Sequence, residues 1–301
     1  MIRKLFLSTF ALIMAIAATA QPKVYVTRDI SPESLIKIYE ALGRKAEGRV
    51  AVKVSTGEAG NPNYLQPSLI GGLVKKVGGT IVECNTAYGG RRGTVEEHMR
   101  VAEEHGFTKI AKVDIMDAEG EFRIPVRDTT NIKYDLVGKN LKNYDFMINL
   151  AHFKGHPMGG LGGVIKNQSI GVASANGKAY IHTAGYQDKV EGMWNHTQAV
   201  ADYFGDRILY ISVMNNMSVD CDCVATPEKP ALKDYGILAS LDPVALDQAC
   251  VDIIFNMTAS EGNDNAPLKE RISSRHGTHT IEHAEKIGLG SRKYTLVNID
   301  R

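Results

Sequence analysis

Strand and helix patterns alternate along the first third of the chain, and this order constrains the fold more than any other feature. Lys23–Thr27 alternates side chains as a strand does, and Ser31 followed by Pro32 is typical of the start of a helix. The same order is repeated up to Gly106, a typical helix stop. Alternating strands and helices are typical of a parallel sheet between two helical layers. We therefore predict an α/β fold, with a mostly parallel or mixed sheet covered by helices on both faces.

The remaining elements follow from the spacing of apolar residues. Further strands are predicted at 49–54, 80–84, 112–117, 122–126, 145–150, 207–213, 236–240 and 294–299. Further helices are predicted at 67–77, 94–105, 190–204, 243–256, 267–274 and 280–287. No internal repeat or linker-like tract interrupts the chain, so we predict one domain at 21–301.

The amino terminus has the features of an export signal. Arg3 and Lys4 precede an apolar run at 5–17, and a small-x-small sequence ends at Ala20. The apolar run is shorter than the roughly 20 residues that a membrane span needs, which disfavours the alternative of a retained anchor. We expect a signal peptide at 1–20, cleavage after Ala20, and a periplasmic or secreted protein without a stable membrane anchor.

The charge balance disfavours one class of partner. The full chain has 35 Lys and Arg against 34 Asp and Glu, a net charge of +1. Cleavage of the signal peptide would remove Arg3 and Lys4 and leave a net charge of −1. Nucleic-acid-binding domains carry a clear excess of positive charge, so we expect no nucleic-acid partner.

The stretch at 149–167 contains more residues suited to acid–base chemistry and anion binding than any other part of the chain of similar length. His152, Lys154 and His156 alternate, and five glycines lie among the nine residues at 155–163, before residues 166 and 167. Glycines let backbone N–H groups approach an anion closely, and lysines supply positive charge. We expect acid–base chemistry from Lys154, His156 and Lys166, and substrate binding by Gly160, Gly162 and Asn167. The spacing matches neither a P-loop nor a dinucleotide fingerprint, so no nucleotide cofactor is predicted.

The two histidines of this stretch are not expected to act as a pair. In an extended segment, His152 and His156 would lie about 13 Å apart, given the rise of a strand. One metal ion could then bind both only if the backbone turned between them. A single histidine acting as a ligand or as an acid–base group is the simpler hypothesis, and hydrogen bonding within a loop is the alternative.

Other polar clusters follow other predicted strands. Glu58 comes after the second strand, and Arg91 and Arg92 come after the third. Ligands of α/β proteins bind beyond the carboxyl ends of the strands, where such loops converge. We expect Glu58 to take part in acid–base chemistry and the two arginines to bind an anionic substrate, with a solvated loop as the alternative for the arginines.

The third cluster is Cys221-Asp222-Cys223, which follows the predicted strand at 207–213. In a turn, both thiolates could bind one transition metal ion or an iron–sulfur cluster. A bond between the two sulfur atoms, or an inert thiol pair, is the alternative. Cys250 fits the apolar pattern of a helix and is expected in the core. The candidate further ligands are His156, His182 and Cys84.

Three runs of this sequence together resemble the DUF362 family, a domain of unknown function. They are Lys154-Gly155-His156 with the following glycines and Lys166-Asn167, then the sequence at 220–223, then the highly specific run at 236–247. Some members carry ferredoxin-like iron–sulfur modules, so the resemblance implies an association with redox chemistry or a metal. This chain has no Cys-x-x-Cys-x-x-Cys array, which excludes an eight-iron insert. Gly171 lies where some relatives are expected to have a further cysteine, which disfavours a cluster with four cysteine ligands.

These observations support two hypotheses of function. The first is an exported metal- or iron–sulfur-associated enzyme of the redox or lyase type, which acts on a small anionic substrate and would use a redox partner protein for electron transfer. The second is a metal-free periplasmic binding protein for an anionic small molecule. A hydrolase is less well supported because the sequence has no Gly-x-Ser-x-Gly elbow.

Overall fold

A computed structural model describes residues 21–183 and 198–300. The predicted signal peptide and residues 190–197 of one predicted helix lie outside the described residues. The strands are β1 (Lys23–Thr27), β2 (Val50–Lys53), β3 (Thr80–Glu83), β4 (Val113–Ile115), β5 (Glu121–Ile124), β6 (Asp135–Gly138), β7 (Phe146–His152), β8 (Lys154–His156), β9 (Gly160–Gly162), β10 (Ile208–Met214), β11 (Gly236–Ser240) and β12 (Thr295–Asn298).

The helices that pack around these strands are mostly short. They are α1 (Pro32–Ala41), α2 (Pro67–Lys76), α3 (Val95–Glu104), α4 (Val164–Ser169), α5 (Ala175–Thr183), the helical segment α6 at 198–204, α7 (Pro243–Asn256), α8 (Ala266–Ser274) and α9 (Thr278–Lys286). Within the described ranges, no helix is both long enough and apolar enough to cross a membrane.

Eight strands form one mixed sheet in the order β12-β1-β11-β10-β7-β2-β3-β4. The five strands from β10 to β4 are parallel, so their carboxyl ends lie at one edge. Strand β11 is antiparallel to both of its neighbours, and its first residue, Gly236, lies opposite Met214 at the end of β10. The predicted α/β fold with a mixed sheet is confirmed.

Both faces of the sheet are buried under helices. Along β10, Leu209 and Ile211 point into one core, to which α1 and α2 contribute. Tyr210 and Met214 point into the other core, to which α4 and α7 contribute. Successive side chains of a strand point to opposite faces, so a strand that is apolar throughout needs a helical layer on each side. Cys250 of α7 lies fully buried in the second core, as predicted.

Local sequence signals explain the helix boundaries that were predicted well. Ser31 accepts a hydrogen bond from the N–H of Ser34, and Thr94 accepts one from the N–H of Glu97, so both act as N-caps. Asp242 accepts hydrogen bonds from the first turn of α7. These side chains satisfy backbone donors that a helix start would otherwise leave unpaired.

Strand β6, the β8–β9 hairpin, α4 and α5 were not predicted from the sequence. Helix α4 begins after Gly163 without a side-chain cap from its own segment. Its cap comes from Asp247 of α7, whose two carboxylate oxygens accept the N–H groups of Val164 at 2.9 Å and Ile165 at 3.0 Å. A Cβ atom on residue 163 would collide with that carboxylate, so glycine is required there. Helix α7 therefore fixes the start of α4 through a contact that no local pattern reveals.

We expect Asp247→Ala to destabilise the fold more than a change at an ordinary helix cap. The substitution leaves two buried N–H groups without acceptors, which should lower the free energy of unfolding by roughly 2–4 kcal/mol. Asp242→Ala, which removes a cap within its own helix, should cost about 1 kcal/mol. Urea denaturation followed by circular dichroism measures both. Equal costs would contradict the role assigned to Asp247.

Candidate functional site

A cavity of about 630 Å³ lies at the edge of the sheet where the parallel strands end. Its walls come from the segments that follow β2, β3, β7 and β10, together with α4 and α5. The loops that were expected to converge at the strand ends therefore do enclose one space. Most of the polar side chains in its wall are held by other protein groups, and these contacts define what remains available to a ligand.

Asp222 is the centre of a buried charge network beside the cavity. One of its oxygens accepts a hydrogen bond from His152 Nδ1 at 2.9 Å, and the other accepts one from Lys154 Nζ at 2.5 Å. His152 Nε2 lies 2.6 Å from the carbonyl oxygen of Asn215, so both ring nitrogens face acceptors and the imidazolium form satisfies both contacts. Burial acts to raise the pKa of Asp222, but the charges of Lys154 and His152 hold it well below its ordinary value.

Backbone contacts press the cysteine loop, residues 215–235, against the β8–β9 hairpin. The N–H of Gly155 donates to the carbonyl of Ser218 at 2.8 Å. A Cβ atom on residue 155 would collide with the carbonyl oxygen of Val219, so this close approach requires glycine. On the other side, the N–H of Glu58 donates to the carbonyl of Asp222 at 2.7 Å. The position of the loop is thus set from two directions.

Cys221 and Cys223 lie beside His156. A disulfide joins their sulfur atoms, and their Cα atoms are 5.3 Å apart. One ring nitrogen of His156 and the two sulfur atoms all lie within 4.8 Å of one another. Burial and the nearby cation Lys166 lower the pKa of His156, which favours the neutral ring that can bind a metal. Its Nδ1 accepts the N–H of Gly159 at 3.0 Å, which puts the proton of the neutral ring on Nε2. Metal binding would therefore displace either this hydrogen bond or the Nε2 proton.

The other two candidate ligands line the same cavity outside this group. Cys84 donates its S–H to the carbonyl of Val172 at 3.2 Å, and burial raises the pKa of its thiol. His182 lies near the end of α5. The ligand group found among the described residues contains neither of them. With Cys250 inside α7, the four cysteines do not converge, and which residues bind a metal stays a prediction.

A second buried network supports the far wall of the cavity. Glu83 accepts hydrogen bonds from Lys53 Nζ at 3.0 Å and from Arg92 Nη1 at 3.2 Å. Burial acts to raise the pKa of Glu83, but these two cations lower it to about 2. Lys53 and Glu83 were not predicted as site residues from the sequence. Each is the charged last residue of a short, otherwise mostly apolar strand, and this pattern in two neighbouring strands is the signal that could have revealed the pair.

The cavity wall carries an excess of positive charge. Its lysines and arginine number five, against the carboxylates Glu83 and Asp222. In the part of the chain that the structure describes, Lys166 is the lining cation whose side chain has neither a hydrogen-bond nor an ion-pair partner. Burial and the charge of Lys154 lower the pKa of Lys166 to about 7. A fraction of this amine is therefore unprotonated at neutral pH, and the cavity as a whole suits an anion. The five cations are Lys53, Arg92, Lys154, Lys166 and Lys178.

Several predicted site residues lie outside the cavity wall. Glu58 is buried and accepts the N–H of Arg91 at 2.9 Å. The guanidinium group of Arg91 instead binds the carboxylates of Glu97 and Glu104 on α3, so the structure places it away from the cavity. Gly160 packs against Gly277.

The remaining predicted residues lie in the wall itself. Gly162 lines the cavity directly, next to the stem of Lys154. Asn167 also lines it, but its amide is occupied, because it donates to the carbonyl of Lys53 at 3.0 Å and to the side chain of Asn149 at 2.7 Å. Asn167 thus positions α4 against β2 and β7.

We expect Asp222→Asn to destabilise the protein far more than the same change two residues earlier. Loss of the carboxylate leaves His152 and Lys154 buried without their counter-charge, which should lower the free energy of unfolding by roughly 3–5 kcal/mol. Asp220→Asn removes a partly exposed ion pair with Arg271 and should cost less than about 1 kcal/mol. Thermal and urea unfolding measure both, and similar costs would contradict the network.

The network also predicts an acid limit of stability. The pKa values of Asp222 and Glu83 are lower in the folded chain than in the unfolded chain, so their contribution is present above the unfolded values and is lost as pH falls. We expect the free energy of unfolding to decrease steadily from about pH 4.5 to about pH 2. In Glu83→Gln this slope should be smaller, and an unchanged slope would contradict the assignment.

DUF362, a domain of unknown function, matches residues 50–252. No curated protein matches the chain. A lactate racemase apoprotein structure from Thermoanaerobacterium thermosaccharolyticum is 13% identical with a TM-score of 0.40, and the match covers 65% of this chain and 50% of that one. A crystal structure of a protein from Thermotoga maritima is 11% identical with a TM-score of 0.43, and the match covers 85% of this chain and 58% of that one. The chain thus spans half the length of the first structure and 58% of the second.

Proposed function

The chain belongs to the DUF362 family, and we propose that it is an exported, metal-dependent enzyme that acts on a small anionic substrate in the cavity described above. The observation that carries the proposal is the convergence of His156, Cys221 and Cys223 in the same cavity as Lys166. A soft ligand group and an amine without a partner face one space, and that space is rich in positive charge. Support for export comes from the sequence at 1–20, which precedes the described residues.

The ligand group fits a transition metal ion. Two thiolates and an imidazole are the donors that such ions prefer, and three protein ligands are typical of a catalytic ion that keeps one position open. Two-electron reduction of the disulfide by a dithiol of a redox partner protein, which would itself be oxidised to a disulfide, would supply the two thiolates of Cys221 and Cys223. Because the four cysteines do not converge, the arrangement favours a single ion over a cluster with four cysteine ligands. When bound, such an ion would polarise a carbonyl or carboxylate oxygen.

The residues around this group can bind an anion and move a proton. Lys166 lines the cavity, and its lowered pKa of about 7 suits a general base at neutral pH. Lys154 and Arg92 keep the surrounding potential positive, although their own contacts go to protein carboxylates. Removal of a proton from a carbon next to a carbonyl group leaves negative charge on oxygen, and this potential stabilises it. We therefore favour a lyase-type elimination from a carbonyl-bearing carboxylate. The amine of Lys166 would take the proton next to the carbonyl, and the electrons of that C–H bond would form a C=C bond as a leaving group departs from the neighbouring carbon with its bonding electron pair.

Metal analysis of reduced protein, prepared anaerobically, tests the ligand group. We expect about one equivalent of a transition metal ion after loading and dialysis, and almost none in the oxidised protein, because disulfide sulfur atoms are not thiolates. Cys221→Ser with Cys223→Ser should abolish binding. Cys84→Ser is the matched control and should bind normally. Less than a tenth of an equivalent in the reduced protein would overturn the proposal.

Hydrogen exchange in D₂O tests the role of Lys166 before the natural substrate is known. We expect the metal-loaded protein to catalyse incorporation of deuterium next to the carbonyl of some members of a panel of oxo-acids, as measured by NMR. Lys166→Met should abolish this exchange, while the exposed control Lys142→Met should not change it.

The pH dependence of that exchange has a definite sign. A base acts in its unprotonated form, so the rate should increase with pH by about tenfold per unit below pH 7 and level off above it. Exchange that is unaffected by Lys166→Met would contradict the assigned role. Binding of anions without any exchange, and equally with and without metal, would support a binding protein instead.

A further inference from the structure

The cavity is larger than a small anion requires. Its volume of about 630 Å³ lies within the range of roughly 300–1,000 Å³ that is typical for ligands of drug size. A short carboxylate beside Lys166 would leave most of this space unfilled. The character of the remaining wall therefore carries information about the rest of the ligand.

Two large apolar side chains stand at the mouth of the cavity. Tyr88, in the loop after β3, is 42% exposed, and Met158, in the turn between β8 and β9, is 58% exposed. Both line the cavity, and both belong to the small group of large hydrophobic residues that are exposed in the described part of the chain. Ile170, at the end of α4, adds a further apolar side chain to the cavity wall.

The two side chains differ in a useful way. The hydroxyl group of Tyr88 accepts a hydrogen bond from Arg92 Nη2 at 2.8 Å, which restrains the position of the ring. Met158 is unbranched and its side chain makes no such contact, so it can adapt to different shapes. A restrained aromatic ring and a flexible thioether in the same cavity wall suit an apolar group of variable form.

We infer that the ligand is an amphipathic carboxylate, with its charged head beside Lys166 and an alkyl or aryl group between Tyr88 and Met158. This inference rests on the proposed function, since it takes the anion to bind at Lys166. It adds the class of ligand and names two specificity-determining residues. The cationic wall and the exposed apolar side chains belong to the same cavity. A ligand with a carboxylate at one end and an apolar group at the other would contact both.

Isothermal titration calorimetry with the mature chain at 21–301 tests this inference through pairs of acids. Each pair shares the same head, for example pyruvate with phenylpyruvate and acetate with octanoate. We expect the apolar member to bind at least about tenfold more tightly, since each buried methylene contributes a measurable factor. Met158→Ser should remove much of this preference and leave the affinity for the short acid unchanged.

Two control variants make the test specific. Met158→Leu should keep the preference, because leucine is a large apolar side chain too. Leu241→Ser, at a similarly exposed apolar residue that does not line the cavity, should also keep it. Lys166→Met should weaken binding of both members of each pair.

Equal affinity for short and apolar acids in the wild-type chain would overturn the inference and leave the proposed function intact. Unchanged affinities in Met158→Ser would also overturn it, and would be expected if Tyr88 and Met158 contact another protein instead. Failure of every acid to bind to a chain that still binds its metal would overturn the inference together with the anionic substrate of the proposed function.

Discussion

The buried carboxylate of Asp222 is the interaction on which the site depends. A buried charge is costly unless it is paired, and here two donors from one strand and its continuation, His152 and Lys154, occupy its two oxygens. Because Asp222 lies between Cys221 and Cys223 in the chain, the same contact that satisfies the charge also determines where the sulfur atoms lie. The chemistry of the cavity therefore depends on a carboxylate whose two oxygens are both occupied by protein groups.

The carboxylate of Asp247 has a similar supporting role, because it holds the start of α4 in place. In the run at 236–247, which carries the most specific resemblance to the DUF362 family, Asp242 caps its own helix and Asp247 caps α4. Helix α4 carries Lys166, which lines the cavity. The run at 236–247 therefore contributes to the site by holding α4 in place and not by contact with a ligand. The specificity of that run thus has a structural explanation.

The sequence was most informative where structure is locally determined. The strand Gly236–Ser240 and the start of α7 follow from apolar spacing and an N-cap, and both were predicted correctly. Helix α4 could not be predicted in the same way, because its cap lies 83 residues away. The adjacent residues Arg91 and Arg92 were expected to act together, yet one binds α3 and the other lies buried against Glu83, because neighbouring side chains in a tight turn point in different directions.

The antiparallel direction of β11 has a consequence for how this protein could change. Met214 and Gly236 are paired neighbours, and the N–H of Tyr235 donates to the carbonyl of Met214, so the cysteine loop leaves and re-enters the sheet at the same point. A loop closed in this way can vary in length without a change in the register of the strands, provided that it keeps Asp222 as the partner of His152 and Lys154. The sequence of the cysteine loop can therefore change independently of the sheet. Variation in its other residues would change the chemistry of the cavity while the sheet remained the same.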